Sequence, residues 1–260
     1  MKTRIMMIAA CVLLAGFNLD ANAQRKKKTA TIAEQKGYAI ANTYSKLEVS
    51  SAFEVTMSDT VKEVMVDIEG GRHENVAIEL EKNTLKISLK GRNKLKRRPR
   101  VVLPYNARLA EVELSGASTF TTPLALKADV VKIDIDDASK FHGNIVASKK
   151  VEIELSGASH FHGKVESGLV EYESKGASTG LMTGSAYIQL KLDMSSASHL
   201  DAKNFTSKMV RGEVEGASTA TVHCTESLRV NTNGASTLTY SGTPRDINCP
   251  TDVLSRLRRK

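Results

Sequence analysis

Three groups of side chains in this sequence are of types that do chemistry, and the first two return at nearly constant spacing. The first is a set of seven serines, each preceded by alanine: Ala117-Ser118, Ala138-Ser139, Ala158-Ser159, Ala177-Ser178, Ala197-Ser198, Ala217-Ser218 and Ala235-Ser236. A nucleophilic serine needs a histidine and an orienting carboxylate within hydrogen-bond reach. No such pair recurs with these serines, so they read as structural. The second group stands four residues before each alanine: Glu113, Asp134, Glu154, Glu173, Asp193 and Glu213, then Asn231. Carboxylate oxygens in a row suit a hard cation such as calcium. No D-x-D-G or G-G-x-G-x-D calcium signature is present, so a solvated, partly compensated face is the weightier reading. The third group is His142, His160 and His162, beside Lys140. Residues two apart on a strand face the same way, so three imidazoles can converge as a zinc or copper site or as a proton-sensitive patch. A ladder of surface histidines needs no ligand, and that is the default.

The elements that would position these groups follow from the repeat itself. Successive alanines lie 21, 20, 19, 20, 20 and 18 residues apart. A period that steady implies stacked coils, each too small to bury an apolar face alone. Seven, five and three residues before the alanine stand mostly apolar columns, such as Val151, Ile153 and Leu155; three after it stand Phe120, Phe141, Phe161, Gly180, Leu200, Ala220 and Leu238. Spacing by two is the strand period. The pattern predicts an all-β chain: a parallel β-helix, or solenoid, of about seven 20-residue coils. At each corner a glycine, or Asp137 or Ser196, precedes the alanine, as a positive φ demands. The alanine is expected where two strands converge and a larger side chain would overpack, with the serine bonding to backbone or to the next coil's serine.

Before the repeat, Ser50-Ser51-Ala52-Phe53 reads as a degenerate entry coil. Val64 to Ile68, Val76 to Leu80 and Leu85 to Leu89 read as strands, the last two forming an antiparallel hairpin through Lys82-Asn83-Thr84. The expected organisation is a signal peptide over 1–23, a basic segment over 24–43, an N-terminal β entry and cap over 44–104, the repeats over 105–242 and a tail over 243–260. The leader is read from Lys2 and Arg4, the apolar stretch Ile5 to Phe17 and the Ala21-Asn22-Ala23 cleavage motif. The apolar stretch is too short for a membrane anchor, and no later segment could span a bilayer. The expected location is therefore periplasm or cell surface.

The net charge of +8 hides a separation. Fourteen basic residues sit in three runs, Arg25 to Lys28, Arg92 to Arg100 and Arg256 to Lys260. Without these and the leader's charges, 21 basic residues face 28 acidic ones, so the body is mildly acidic. The runs lack interleaved aromatics, which argues against nucleic acid; Arg92 to Arg100 could hold an anionic membrane surface. Cys224 and Cys249 could pair as a disulfide in an oxidising compartment, or remain free, with Cys224 in an inward column.

Leu47 to Met57, Asn83 to Leu89 and the repeated Ser-Gly-Ala-Ser together resemble the head GIN domain family (DUF2807), over roughly Tyr44 to Gly242. The resemblance implies an exported, right-handed β-helical body of the kind described as an auto-transporter adhesin head, with no catalytic residue to carry over. The expected function is a non-enzymatic binding or adhesion module for glycan or cell-surface protein partners, without a cofactor. A β-helical lyase or glycosidase would need carboxylates in a cleft walled by long loops, and coils this uniform have none. A peripheral lipid-binding envelope protein is the other alternative.

Overall fold

A computed structural model describes residues 34–70, 72–91 and 95–260. The leader, the basic segment to Lys28 and the first part of the Arg92–Arg100 run lie outside the described residues. The chain opens with β1 (Glu34–Tyr38), β2 (Lys46–Val49), β3 (Glu54–Ser58), β4 (Val64–Ile68), β5 (Val76–Glu81), β6 (Thr84–Leu89), β7 (Arg100–Pro104) and β8 (Glu111–Leu114). Six long strands follow: β9 (Thr119–Ile135), β10 (Lys140–Leu155), β11 (His160–Ser174), β12 (Thr179–Met194), β13 (His199–Val214) and β14 (Thr219–Thr232). β15 (Thr237–Ser241), β16 (Asp246–Asn248) and β17 (Arg256–Arg259) complete the order. This is the parallel β-solenoid the repeat predicts.

Each long strand begins just after one Ala-Ser corner and ends three residues before the next alanine. Each pairs in parallel with its neighbours, in register, so that Phe141 lies between Phe120 and Phe161, and Ile153 between Ile133 and Tyr172. The ladder slips midway along each strand, between Val146 and Lys150 for β10. That slip is the second bend of the coil, opposite the Ala-Ser corner. Inward columns are buried throughout: Val131, Val151, Val170, Leu190, Val210 and Leu228 are at most 1% exposed. Phe120, Phe141 and Phe161 stack with centroids 5.7 and 5.4 Å apart, a contact that adds to their burial.

The chain enters one rung inside the solenoid. β2 and β3 pair in parallel with β8 and β9, which stacks Ser51-Ala52 on the Gly116-Ala117 corner. The chain then runs outward: β6 and β7 form a further rung on β2 and β3. The expected hairpin is β5 with β6, antiparallel from Val76↔Leu89 to Glu81↔Thr84, and β4 and β1 cover the β7 side, also antiparallel. Reversed strand direction ends the parallel ladder on this side. At the other end β16 and β17 extend the ladder in parallel from β14 and β15.

The corners follow the expected backbone logic but not the expected packing. Gly116, Asp137, Gly157, Gly176, Ser196, Gly216 and Gly234 all have φ between 61° and 75°. The alanines, however, face outward; all but the half-buried Ala117 are exposed. The serines take the interior position, every one of them buried. The left-handed residue turns the chain one step earlier than a converging-strand corner would, which carries the alanine to the outside. What the stack constrains there is backbone approach: Ala177 and Ala197 N–H donate to the carbonyls of Gly157 and Gly176 one rung away, at 2.7 and 2.9 Å.

Candidate functional site

The stacked strands carry two outward faces, one on each side of the Ala-Ser corner. On the first, Glu48, Glu113, Asp134, Glu154, Glu173, Asp193 and Glu213 stand in continuous register, with Lys86 at one end and Asn231 at the other. The carboxylate column thus extends one rung further than the count from Ala117 reaches. Counting four back from Ala52 lands on Glu48, so the signal was present in the entry coil. Neighbours at about 4.8 Å repel by roughly 0.9 kcal/mol even in water, and lysines interleave to offset this. Lys46 reaches Glu111 at 3.2 Å, Glu48 at 3.3 Å and also Glu113. Burial opposes its charge, but hydrogen bonds to Glu113, Glu111 and Glu48 raise the ammonium pKa well above the ordinary lysine range. Lys132 bridges diagonally to Glu154 at 3.0 Å, and Lys150 joins Glu152 and Glu171 at 2.7 and 3.0 Å. Lys175 binds Glu173.

Lys132 stood two residues before Asp134, within a column that the repeat spacing itself defines. Lys150 and Lys175 did not, because they lie at a bend and a corner, where only the three-dimensional path brings them to the face. Asp134 is the strained member: half-buried, and beside Asp136 and Glu154, its carboxyl titrates above the usual aspartate range. Shallow grooves run between rungs on this face, one lined by Glu152, Glu154, Glu171, Glu173, Lys191 and Asp193.

The second face carries Thr119, Lys140, His160, Thr179, His199, Thr219 and Thr237 in one column, and Thr121, His142, His162, Leu181, Asp201, Thr221 and Thr239 in the next. His142 and His162 are direct register partners, edge to face with centroids 5.6 Å apart. Burial, with His162, Lys140 and His160 nearby, lowers the His142 pKa. His160 turns its Nδ1 to the carbonyl of Ala158 at 3.0 Å, back toward its own corner. Among the described residues, no group of three or more His, Cys, Asp or Glu side chains is placed to hold a metal ion.

The seven serines sit inside the corner, where no substrate reaches them. Ser118 donates to the Ser115 carbonyl at 2.7 Å and its N–H bonds to the Ser139 hydroxyl at 3.1 Å; the hydroxyls of Ser198 and Ser218 meet at 3.1 Å. Both expected modes of bonding therefore occur. Cys224 and Cys249 are free thiols, Cys224 buried and bonded to the Ser227 carbonyl at 3.1 Å. Burial raises both thiol pKa values, which disfavours the reactive thiolate. The basic loop is partly tied down: Arg97 pairs with Asp67 at 3.0 Å and Glu69 at 3.2 Å, and Arg100 with Glu54 at 3.1 Å. No helix among the described residues is long and apolar enough to cross a membrane.

A family model described as "putative auto-transporter adhesin, head GIN domain" matches residues 43–244. Among solved structures, the chain is similar to a putative adhesin from Parabacteroides distasonis (TM-score 0.77, 20% identity, 88% of this chain and 97% of that one). It is also similar to a putative adhesin from Parabacteroides merdae (0.73, 17%, 88% and 96%). A structure described as a putative lipid binding protein, again from P. distasonis, matches with TM-score 0.71 at 17% identity over 88% and 96%. At these identities the likeness is one of fold. No curated protein matches the chain.

Proposed function

The chain belongs to the family described as putative auto-transporter adhesin, head GIN domain, and on that premise we propose that it is an exported, non-enzymatic module binding an extended glycan or protein partner along its rungs. The observation that carries the reading is the unbroken register of outward carboxylates from Glu48 to Glu213. A ladder repeating at about 4.8 Å offers the same acceptors many times over, which suits a partner that is itself extended. Carboxylates accept hydrogen bonds from sugar hydroxyls and pair with cationic side chains of a protein. Catalysis on a polysaccharide would instead need a singular pair of carboxyls in an enclosed cleft. The grooves here are shallow and lined by members of the same column. For the lipid alternative, the ion pairs of Arg97 and Arg100 draw charge out of the basic loop and into the body.

The test is a glycan array probed with the chain from Gln24 onward and with a Glu173→Gln/Asp193→Asn variant. A defined glycan hit that weakens at least tenfold in the variant supports binding on this face. A hit indifferent to the variant moves the site elsewhere, and depolymerisation of a polysaccharide would reject the non-enzymatic reading.

A further inference from the structure

The outward column that flanks the carboxylates changes sign along the stack. From one rung to the next it reads Glu111, Lys132, Glu152, Glu171, Lys191, Arg211 and Arg229. The last three are cations in direct register, about 4.8 Å apart from rung to rung. Other lysines of this face are matched, Lys132 by Glu154 and Lys150 by Glu152 and Glu171. Among the described residues, Lys191 and Arg211 form no ion pair, although Asp193 and Glu213 stand two residues further along the same strands. Arg229 gives Nε and one Nη to Asp246, at 2.9 and 2.6 Å, which leaves its other Nη to donate elsewhere. Like charges directly opposite on neighbouring strands repel, and a bound anion would relieve that repulsion.

The floor between the two arginines is also unusual. Gly212 falls in the inward column of Ile153, Tyr172, Leu192 and Val230, each at most 1% exposed. Gly212 itself is only half-buried, and it lines a shallow depression with Arg211, Glu213, Arg229, Asn231 and Asn248. At its φ of 137°, a Cβ would stand 1.8 Å from the Leu192 carbonyl oxygen, so no side chain fits there. Glycine within a strand marks the close approach of a backbone or a ligand, and here it leaves bare main chain under the two guanidinium groups. The carboxylate column gives way at the same place, with Asn231 following Glu213 and Asn248 following Arg229.

We propose that Lys191, Arg211 and Arg229, with the amides of Asn231 and Asn248, form a subsite for the anionic groups, carboxylate or sulfate, of an acidic glycan. Guanidinium groups hold such oxyanions through paired N–H donors. Asp193 and Glu213 in the next column accept from sugar hydroxyls, so each rung offers a cation for the charge and an acceptor for the neutral part. An acidic sugar carries both on one ring. An acidic peptide would instead bring further carboxylates against Asp193 and Glu213, and the depression has no apolar side chain to anchor one. This subsite deepens the reading of the face as a glycan-binding surface and rests on it.

The test is a glycan array with uronate, sulfated and neutral members, probed with the full chain and with a Lys191→Gln/Arg211→Gln variant. Neither side chain has an ion pair to lose, so the variant should keep the wild-type denaturation midpoint. Calorimetry then compares oligogalacturonate with its methyl ester, and a sulfated dextran oligomer with dextran itself. At least one anionic member is expected to bind tenfold or more tightly than its neutral counterpart, to weaken as salt rises, and to lose that advantage in the variant. The pair that shows the difference identifies carboxylate or sulfate as the group bound. Equal binding within both pairs, or an advantage that survives in the variant, would overturn the subsite. Tighter binding of an alternating Glu-Ser peptide than of either anionic glycan would also overturn it, in favour of a protein partner. Neutral hits weakened by Glu173→Gln/Asp193→Asn but not by Lys191→Gln/Arg211→Gln would remove the subsite and leave the glycan reading of the face standing. An array without hits would remove both.

Discussion

Gly180 shows how one residue can break a column's rule for a reason found in another column. Its column otherwise holds Phe, Leu or Ala, and nothing nearby in the chain calls for glycine. In the stack, a Cβ at Gly180 would stand 2.8 Å from Cζ of Tyr172, the one tyrosine in a column otherwise aliphatic or glycine. Gly180→Phe therefore matches the column by type and fails for lack of space, at an expected cost of about 2 kcal/mol. The Tyr172→Leu/Gly180→Phe double variant should recover most of it, as read by urea denaturation. Asp134 makes a residue-scale prediction of a different kind. Its folded pKa is raised, by burial first and then by Asp136 and Glu154. Above that pKa the folded protein carries a charge it disfavours. As pH falls through it, the folded state takes the proton before the unfolded chain does, and stability rises until both are protonated. Asp134→Asn should thus stabilise by about 0.5 kcal/mol at pH 7, with the gain fading as pH drops through the carboxylate range.

At the scale of the element, the corner is the unit that makes the coil repeat. A Cβ on Gly157, at φ +68°, would lie 2.6 Å from the Asp137 carbonyl of the neighbouring rung. Gly157→Ala combines a left-handed alanine with that contact and is expected to cost about 2 kcal/mol, measured as a lower denaturation midpoint. The His142–His162 pair tests the second face. His142 titrates below the ordinary histidine range, through burial first and then His162, Lys140 and His160. As pH falls through about 6.5 the unfolded chain takes up a proton before the folded one, so stability drops until the folded histidine also titrates. Replacing His142 by Gln should flatten this part of the stability–pH profile. A profile as steep as the wild type's would place the titration elsewhere.

For the whole molecule, rungs contact only their neighbours, so opening is expected to begin in the rungs whose inward residues are least buried. Leu47, Val55 and Met57 of β2 and β3 are at most 1% exposed, whereas Ile247 of β16 is 46% exposed. Amides of β15, β16 and β17 should exchange with deuterium faster than those of β10 and β11, with β2, β3 and β7 nearer the protected group. Exchange that is fastest at the N-terminal end would contradict this view of the two ends. The same asymmetry predicts that Ile247→Asp is tolerated, while Val151→Asp, buried at 0% exposure in the corresponding column, unfolds the protein.

The sequence alone determined the solenoid, because a 20-residue period, alternating burial and left-handed corner residues are local properties repeated until only one stacking satisfies them. It also determined the carboxylate column and the His142–His162 register, since in-register coils turn equal spacing into adjacency. Only the tertiary structure decided which side of the corner is inside, placing the serines within and the alanines without, because one left-handed residue reorients all that follows it. It alone decided that β2 and β3 enter one rung within the stack, that Lys150 and Lys175 reach the acidic face, and that β4 and β5 pair antiparallel on the rung of β6 and β7. Those outcomes depend on where bends and non-repeating strands place residues, and a period carries no information about its own ends.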